Sequence, residues 1–281
     1  MRLEVSHLSC GYQKGKPLVK DVSFILGNGD ICCILGRNGV GKSTMFKTLL
    51  CLMPPLGGRI LLDGEDITKW NAEKMADNIA YVAQSHTPPF PYLVEEMIMM
   101  GRMNHIGVFG KPKQKDEKIV NDLIHQLGID YLKGKPYTEI SGGERQMVMI
   151  AKAMAQEPKI LVLDEPTANL DYGNRVLVLD AVRNLSSRGI CTVFTTHDPE
   201  QALLLDAQTA VIIPGEPVVF GHSRVVVTEK NLKRAYNATI RVVEIVDDEG
   251  NPVRVCLPIL GSIDRMAKVR SSNRPAWLEE A

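Results

Sequence analysis

The residues from Gly36 to Ser43 read Gly-Arg-Asn-Gly-Val-Gly-Lys-Ser and fit the pattern G-x-x-x-x-G-K-[ST]. Glycines in this pattern let backbone N–H groups curl around phosphate oxygens, and the following helix adds the positive end of its dipole. We expect Lys42 to contact the β- and γ-phosphates of a nucleotide and the Ser43 hydroxyl to hold Mg²⁺. The residues predicted to bind the nucleotide here are Gly36, Asn38, Gly39, Gly41, Lys42, Ser43 and Thr44.

A second pattern is an apolar run that ends in acid. Ile160–Leu163 is followed directly by Asp164 and Glu165. An acidic pair after a strand is usually a helix cap or part of a loop, but a phosphate-binding pattern in the same chain favours a catalytic role. We expect Asp164 to face Mg²⁺ at the carboxyl end of the strand and Glu165 to polarise the attacking water.

A third pattern, Ser-Gly-Gly-Glu-Arg-Gln, begins at Ser141. Ser141 and Glu144 have the spacing of a capping box at the start of a helix. Two glycines just inside a helix each cost about 1 kcal/mol relative to alanine, so some function must require bare backbone there. Exposed N–H groups at a helix N-terminus bind anions, and we therefore predict that Ser141, Gly142 and Gly143 bind a second phosphate face.

The elements that position these residues alternate between short strands and helices. Apolar runs bounded by turn residues or charge predict strands buried on both faces. These strands are Ile31–Leu35, Ile79–Val82, Ile160–Leu163 and Cys191–Thr196. Helical patterns cover Ser43–Leu52, Glu117–Leu127, Glu144–Ala155 and Tyr172–Ser187. The alternation predicts an α/β fold with a mostly parallel sheet.

Two regions interrupt the alternation. Residues 87–136 have a helical pattern rich in Met and His, which predicts a helical insertion, and we interpret the charge run Lys111–Lys118 within it as a solvated loop. After Gly215, Ile240–Val246 and Val253–Leu257 flank an Asp-Asp-Glu-Gly-Asn turn and predict a hairpin, and we expect the last dozen residues to fray. The predicted division is a main domain at 1–221, with a helical subdomain at about 87–157, and a C-terminal extension at 222–281.

Composition limits the partners. The 281 residues suit one or two domains, and 33 basic residues balance 33 acidic ones, so no global field attracts nucleic acid or anionic lipid. The N-terminus lacks a secretory apolar segment, and no apolar run approaches the roughly 18 to 20 residues that span a bilayer. We expect an intracellular chain. The six cysteines form no CxxC pair and suggest reduced core thiols, and the six histidines lack zinc-type spacing.

The ordered set of motifs resembles the nucleotide-binding subunit of ATP-binding cassette (ABC) transporters. The resemblance covers about Leu3 to Gly215 and rests on the glycine-rich pattern, the Ser141 pattern, and Asp-Glu-Pro-Thr-Ala-Asn-Leu-Asp from Asp164 to Asp171. It implies a P-loop ABC ATPase fold with a mostly parallel core sheet, an antiparallel β subdomain, a helical insertion and a small C-terminal appendage. Ile140 replaces the leucine usual before Ser-Gly-Gly, a swap that conserves volume.

The resemblance gives further residues a role. Tyr12 matches the aromatic that stacks on adenine, although alone it would be an ordinary half-buried tyrosine. Gln84 matches the glutamine that senses Mg²⁺ and couples to the membrane partner, and Asp171 the aspartate that crosses the dimer interface. His197 matches the switch histidine that contacts the γ-phosphate, although a lone histidine after a strand is usually structural. The implied catalytic residues are Lys42, Gln84, Glu165 and His197, and the implied Mg²⁺ ligands are Ser43, Gln84 and Asp164.

The same resemblance implies the cofactors and partners. Two copies of the chain would bind ATP and Mg²⁺ between the P-loop of one and Ser141–Gly143 of the other. Opening and closing of this homodimer would drive separate permease subunits from the cytoplasmic side of the membrane, with a periplasmic or lipoprotein substrate-binding protein involved indirectly. No nucleic-acid partner is expected.

The cargo prediction rests on the segment Val94–His105. It resembles the V-x-x-x-V-x-x-G-R-x-P-H run of cassettes that serve iron-siderophore, haem and cobalamin importers, with Ile98 for the second valine and Asn104 for the proline. The same residues also suit a packed helix face. Related cassettes serve molybdate, so import of molybdate or another metal oxyanion is an alternative. A soluble ATPase acting on ribosomes or DNA and a cassette without turnover are further alternatives, which the chain length, the zero net charge and the intact catalytic set disfavour.

Overall fold

The computed structural model describes residues 1–84, 90–107 and 110–260. Its central element is a six-stranded sheet made of β3 (Ile31–Leu35), β6 (Ile79–Val82), β7 (Ile160–Leu163), β8 (Cys191–Thr196), β9 (Gln208–Val211) and β10 (Val219–His222). The strand order is β10-β9-β3-β8-β7-β6, and all neighbours are parallel except β10, which runs antiparallel to β9. The four predicted strands are confirmed, and so is the mostly parallel sheet.

Continuous burial explains why three of these strands could be predicted from the sequence. Every residue of β3, β7 and β8 is buried, as expected for parallel strands covered on both faces. The register pairs Leu35 with Thr196 and Leu163 with Phe194, so the three strands end at the same edge. Ligands of open parallel sheets bind beyond this edge, and the glycine-rich pattern, Asp164 and His197 follow these three strand ends.

A second sheet confirms the antiparallel β subdomain. It consists of β1 (Arg2–Cys10), β2 (Val19–Gly27), β4 (Gly57–Leu62) and β5 (Glu65–Asp66), in the order β2-β1-β4-β5. Alternate residues of β2, namely Val22, Phe24 and Leu26, are buried. They pack in one apolar cluster with Phe46 and with Ile34 of β3, so this sheet covers one side of the core.

The helices cover the remaining faces of the sheet and form the insertion. They are α1 (Lys42–Leu49), α2 (Ala72–Asn78), α3 (Val94–Met99), α4 (Met103–Ile106), α5 (Gln114–Gln126), α6 (Gly142–Ala155), α7 (Tyr172–Ser187), α8 (Pro199–Leu204), α9 (Ser223–Val226) and α10 (Glu229–Tyr236). Helix α7 has the predicted bounds. Helices α3, α5 and α6 pack together around buried Met97, Ile124 and Ile150, so the insertion is helical, as expected. Among the described residues, no helix has the length and apolar character needed to cross a bilayer.

The interpretation of Lys111–Lys118 as a solvated loop is wrong for its second half. Helix α5 begins at Gln114, and Asp116 is only 6% exposed. The Asp116 carboxylate accepts hydrogen bonds from the Lys113 N–H (3.0 Å) and from Nε of the buried Arg102 (3.1 Å). A buried guanidinium needs a counter-charge, and this requirement draws part of the charge run into the interior.

The C-terminal residues continue the fold. Leu232 and Ala235 of α10 are buried in the main apolar cluster. Strands β11 (Ile240–Val246) and β12 (Pro252–Pro258) pair as an antiparallel hairpin, and the Cys256 N–H donates to the Glu200 Oε1 of α8 (3.2 Å). The expected fraying of the last dozen residues lies outside the described residues.

The cysteines are thiols within the described part of the chain. All six are free, and all but Cys51 are buried. Burial raises the pKa of Cys10 to about 11 and that of Cys191 to about 12, so these side chains are neutral and unreactive at physiological pH.

Candidate active site

The glycine-rich segment forms a loop between β3 and α1 whose shape depends on glycine. Gly39 and Gly41 have φ values of +79° and +114°, a region that other residues rarely adopt. Gly41 is also the N-cap of α1 and makes no side-chain cap bond. The first N–H groups of the helix are therefore directed at the space inside the loop, which is the arrangement that binds anions.

Lys42 is buried inside this loop, with 5% of its surface exposed. Its ammonium donates to the Gly36 carbonyl oxygen (2.9 Å) and to Asn38 Oδ1 (3.3 Å), and it lies 3.0 Å from Glu165 Oε1. A buried ammonium is tolerated only when such partners replace water. The loop therefore holds a positive charge at its centre, next to the acidic residue that follows β7.

The Glu165 carboxylate is the point where the predicted catalytic residues meet. Its Oε2 lies 3.3 Å from His197 Nδ1 and 3.5 Å from Gln84 Nε2, in addition to the Lys42 contact. The backbone of Glu165 has a φ of +45°, a strained conformation that costs about 1–3 kcal/mol for a non-glycine residue. Strain of this kind is typical of functional sites, where surrounding contacts hold the residue in place.

Thr195 of β8 supports both acidic residues. Its Oγ1 donates to Asp164 Oδ1 (2.6 Å) and accepts a hydrogen bond from the Glu165 N–H (2.8 Å). Burial, together with the negative charge of Asp164, raises the pKa of neighbouring Tyr81. Thr195 was not predicted as a site residue, since a threonine at a strand end has no distinctive local pattern. Its proximity to Asp164 follows only from the pairing of β7 with β8.

The loop and the strand ends enclose a cavity of about 390 Å³. Its lining includes seven of the predicted nucleotide-binding residues and two predicted catalytic residues, namely Tyr12, Asn38, Gly39, Gly41, Lys42, Ser43 and Thr44, with Gln84 and Glu165. Tyr12 is 69% exposed, so its ring is accessible to a ligand. A neighbouring cavity of about 270 Å³ shares Asn38, Gln84 and Glu165 and adds His197. Gly36 lies beneath the loop, where a Cβ would approach the Ile212 carbonyl oxygen to 3.2 Å.

The Ser141 pattern occupies a different place from this cavity. Ser141 and Glu144 form the expected capping box, in which the Ser141 N–H donates to Glu144 Oε2 and holds the pKa of Glu144 below its usual value. Asp171 caps α7 by accepting from the Asn174 N–H (2.8 Å). Neither group lines the cavities around Lys42 and Glu165. In one chain, then, the two predicted phosphate-binding segments do not come together.

The two glycines of this pattern have different surroundings. A Cβ at Gly143 would lie 2.2 Å from Asn174 Cγ, so close packing of α6 against α7 explains this glycine. At exposed Gly142 the nearest atom, Leu170 Cδ2, would be 3.7 Å away, which is an ordinary contact. Packing within the chain thus gives no reason for glycine at position 142.

The predicted Mg²⁺ ligands offer the right kind of atoms. The hydroxyl of Ser43, the amide oxygen of Gln84 and the carboxylate of Asp164 are oxygen donors, which Mg²⁺ prefers. No group of three or more His, Cys, Asp or Glu able to hold a metal occurs in the part of the chain that the structure describes. Sites that bind Mg²⁺ with one or two carboxylates and substrate phosphates need no such group.

The segment Val94–His105 makes contacts inside the protein. A Cβ at Gly101 would lie 2.0 Å from the Lys152 carbonyl oxygen, so glycine is needed where α6 packs closely. Arg102 is bonded to Asp116 and to the Ala155 carbonyl oxygen, and His105 Nε2 lies 3.0 Å from the Gln156 carbonyl oxygen. The helix-packing interpretation of this segment therefore has direct structural support.

A glycine loop between a parallel strand and a helix, a lysine inside the loop and acidic residues at the end of another parallel strand define a P-loop nucleotide-binding domain. The sequence profile of the ABC transporter family matches residues 19–168. The chain therefore belongs to the ABC transporter family, whose ATP-binding subunits hydrolyse ATP.

Several relatives cover nearly the whole chain. The molybdate import ATP-binding protein MolC of Haemophilus influenzae is 34% identical over 236 residues, which are 84% of this chain and 88% of MolC. The ferric enterobactin transport ATP-binding protein FepC of Escherichia coli is 31% identical over 244 residues, 86% of this chain and 90% of FepC. A solved structure of an ABC transporter assigned to the metal-chelate type, in an inward-facing conformation, has a TM-score of 0.82 and 32% identity. The match covers 92% of this chain and 98% of the chain in that structure.

Proposed function

We propose that this chain is the ATP-hydrolysing subunit of an importer that takes up a metal chelate through a separate membrane permease. The observation that carries the catalytic part is the Glu165 carboxylate, which meets Lys42, Gln84 and His197 at the edge of the P-loop cavity. Phosphoryl transfer to water depends mainly on positioning and charge neutralisation, and these residues supply both.

The cavity suggests how each group acts on ATP. Glycine N–H groups and Lys42 bind the β- and γ-phosphates, and the exposed ring of Tyr12 stacks on adenine at the mouth of the cavity. Phosphate oxygens attract the Lys42 ammonium away from Glu165, which leaves the carboxylate to orient and polarise the attacking water. His197, on the other side of Glu165, contacts the γ-phosphate.

Three residues near the P-loop also have side chains suited to a magnesium ion bound with the nucleotide. Ser43, Gln84 and Asp164 would hold it, and Thr195 orients the Asp164 carboxylate. When bound, Mg²⁺ neutralises negative charge on the β- and γ-phosphate oxygens.

The position of the Ser141 pattern supports a homodimer. Exposed Gly142 has no packing reason within the chain, and its helix N-terminus lies apart from the P-loop cavity. A second copy of the chain would bring Ser141–Gly143 against the γ-phosphate held by the first, with Asp171 at the interface. ATP then joins the two copies, and hydrolysis releases them.

The proposed partners follow from this motion. Membrane permease subunits receive it on the cytoplasmic face, near Gln84 and the helical insertion, and a substrate-binding protein delivers the cargo on the other side. FepC and the metal-chelate type transporter favour a metal chelate as cargo. MolC favours a second candidate, molybdate or a related metal oxyanion. Reconstitution with the permease and binding protein would separate these candidates, since only the correct loaded binding protein should stimulate ATP hydrolysis.

Replacement of Glu165 by Gln tests the catalytic proposal. Loss of a positioned general base lowers turnover by about 10²–10⁴-fold. We expect Glu165→Gln to lose turnover on this scale, to bind ATP nearly normally and to accumulate as a dimer with ATP, measured by phosphate release, nucleotide titration and size-exclusion chromatography. Glu73→Gln, at an exposed position of α2, is the matched control. Unchanged hydrolysis by Glu165→Gln would exclude Glu165 as the base.

A further inference from the structure

A buried side-chain network joins two loops of the active site and has no part in the function proposed above. The first loop follows β7 and contains Glu165 and Thr167, and the second follows β8 and contains His197 and Asp198. Gln201, in α8, lies between the loops and is 5% exposed, as is Thr167. Its Nε2 donates to Thr167 Oγ1 (2.8 Å) and to Asp198 Oδ2 (3.4 Å).

Burial makes these bonds important. A buried amide or hydroxyl that loses its partner cannot bond to water instead. Removal of the Gln201 amide takes away the partner of the Thr167 hydroxyl, and removal of the hydroxyl takes away the donor to Gln201 Oε1. Thr167 Oγ1 also lies 3.1 Å from Gln201 Oε1, so the hydroxyl faces both ends of the amide. The two side chains therefore depend on each other.

The first loop needs external support at this point. Glu165 and Asn169 both have positive φ values, +45° and +60°, and Thr167 is midway between them. Strained residues of this kind keep their conformation only when surrounding contacts impose it. The bond from Thr167 to Gln201 connects the strained loop to α8.

The second loop is fixed through Asp198. Its N–H donates to Thr196 Oγ1 (3.0 Å), and its Oδ1 accepts from the Glu200 N–H (3.0 Å). Asp198 directly follows His197, and Thr167, His197 and Gln201 line the same 270 Å³ cavity as Glu165. The network is thus adjacent to the reacting groups without including them.

We propose that Gln201 is a positioning residue whose amide, by bridging Thr167 and Asp198, sets the 3.3 Å separation of Glu165 and His197 required for turnover. The proposal rests on the roles of Glu165 and His197 given above. A misplacement of about 1 Å at a catalytic group can lower the rate about 10²-fold. The bridge therefore controls hydrolysis more than nucleotide binding, which the P-loop provides.

Thr167→Val is the most direct test, because valine has the same shape and lacks the hydroxyl. We expect its kcat for ATP hydrolysis to fall about 10- to 100-fold, with the Kd for ATP within about twofold of the wild-type value. Gln201→Met removes the amide at similar size and should have the same effect. The double variant should be no more than about twofold slower than the slower single variant, because both changes break one bridge.

Two further variants separate positioning from general packing. Thr167→Ser keeps the hydroxyl and should recover most of the lost turnover. Thr192 is a buried threonine in β8 whose hydroxyl has no hydrogen-bond partner among the described residues. The Thr192→Val variant loses this hydroxyl and should hydrolyse ATP normally. Thermal unfolding of each variant shows whether the fold is intact, and Gln201→Met replaces Thr167→Val if the latter does not fold.

Near-normal kcat in Thr167→Val and Gln201→Met would overturn the proposal, as would equal losses in Thr167→Val and Thr167→Ser. The Glu165→Gln variant distinguishes failure of the positioning proposal from failure of the proposed function. If Glu165→Gln is inactive while Thr167→Val is active, only the positioning role is wrong. If Glu165→Gln is also active, the catalytic assignment itself is wrong.

Discussion

Replacement of Arg102 by Met should strongly destabilise the protein without touching the active site. Arg102 is 2% exposed, and its guanidinium contacts Asp116 Oδ1 (3.1 Å), the Ala155 carbonyl oxygen (2.7 Å) and Glu157 Oε2 (2.6 Å). Methionine can occupy the space of the aliphatic stem, so the change mainly removes the charge and the hydrogen bonds. Asp116 and the carbonyl group are then left buried with fewer partners.

The expected loss is about 3 kcal/mol of unfolding free energy. Removal of one partner from a buried ion pair costs about 3–5 kcal/mol. The lower value applies because the Glu157 side chain is 53% exposed and solvent screens that pair, and because Asp116 keeps its bond from the Lys113 N–H. For a chain of this size, about 2–4 °C in Tm per kcal/mol gives a decrease of about 6–12 °C.

Thermal unfolding by circular dichroism is the appropriate assay, and the surface provides a matched control. Arg224 Nε lies 2.9 Å from Asp206 Oδ1, but both side chains are more than half exposed. Arg224→Met should therefore change the unfolding free energy by less than about 1 kcal/mol. The double variant Arg102→Met/Asp116→Leu should recover part of the loss, since it leaves no unpaired buried charge. Equal Tm values for Arg102→Met and Arg224→Met would refute the reasoning.

The loss of stability caused by Arg102→Met should also depend on pH. Hydrogen bonds from the Lys113 N–H and from Arg102 hold the pKa of Asp116 below its usual value. A carboxyl group with a lower pKa in the folded state contributes stability above its unfolded pKa, and this contribution is lost as the pH falls through the folded pKa. The Tm difference between the wild type and Arg102→Met should therefore narrow below about pH 4. A constant difference down to pH 2 would show that the Asp116 charge is not involved.

The remaining predictions concern the two phosphate-binding segments. Lys42→Ala should reduce ATP binding below detection in a nucleotide titration while the chain stays folded, and normal affinity would contradict the P-loop assignment. Gly142→Ala should unfold at nearly the wild-type temperature but lose ATP turnover, because its Cβ has room beside Leu170 yet would occupy the surface offered to a second copy. Gly143→Ala should instead lower the Tm, because its Cβ would collide with Asn174. The same Tm for both glycine variants would contradict this distinction.

Four of the five parallel strands were predictable from sequence because they are short apolar runs, and three of them, β3, β7 and β8, are buried at every residue. The strands of the antiparallel sheet were expected only from the family resemblance. Their alternation is interrupted where β1 and β2 shift register, once between Val5 and Leu8 and again between Leu8 and Cys10. His7 and Asp21, which lie at these irregularities, have positive φ values. A bulge breaks the two-residue period on which a strand prediction depends.

Prediction of the site is limited by contacts between residues that are far apart in the sequence. The glycine loop is local, so Gly39, Gly41 and Lys42 could be assigned from spacing alone. Thr195 lies about 30 positions after the acidic residues it supports, and Gln201 lies 34 positions after Thr167. Neither pair has a sequence pattern, because the sheet order brings the partners together. Asp116 was misassigned for the same reason, since its counter-charge, Arg102, is 14 positions away.

The cargo prediction began from a segment in which Gly101, Arg102 and His105 make contacts within the chain. Gly101 is required by the close approach of Lys152, Arg102 is bonded to Asp116, and His105 lies against the Gln156 carbonyl oxygen. These three residues are therefore engaged within the chain, where they help to shape the helical insertion. Asn104, which replaces the usual proline, donates to Asp77 Oδ1 (3.1 Å) and so ties this segment to α2. In the proposed function the permease would meet the chain near Gln84 and the helical insertion, and the permease and binding protein would select the cargo.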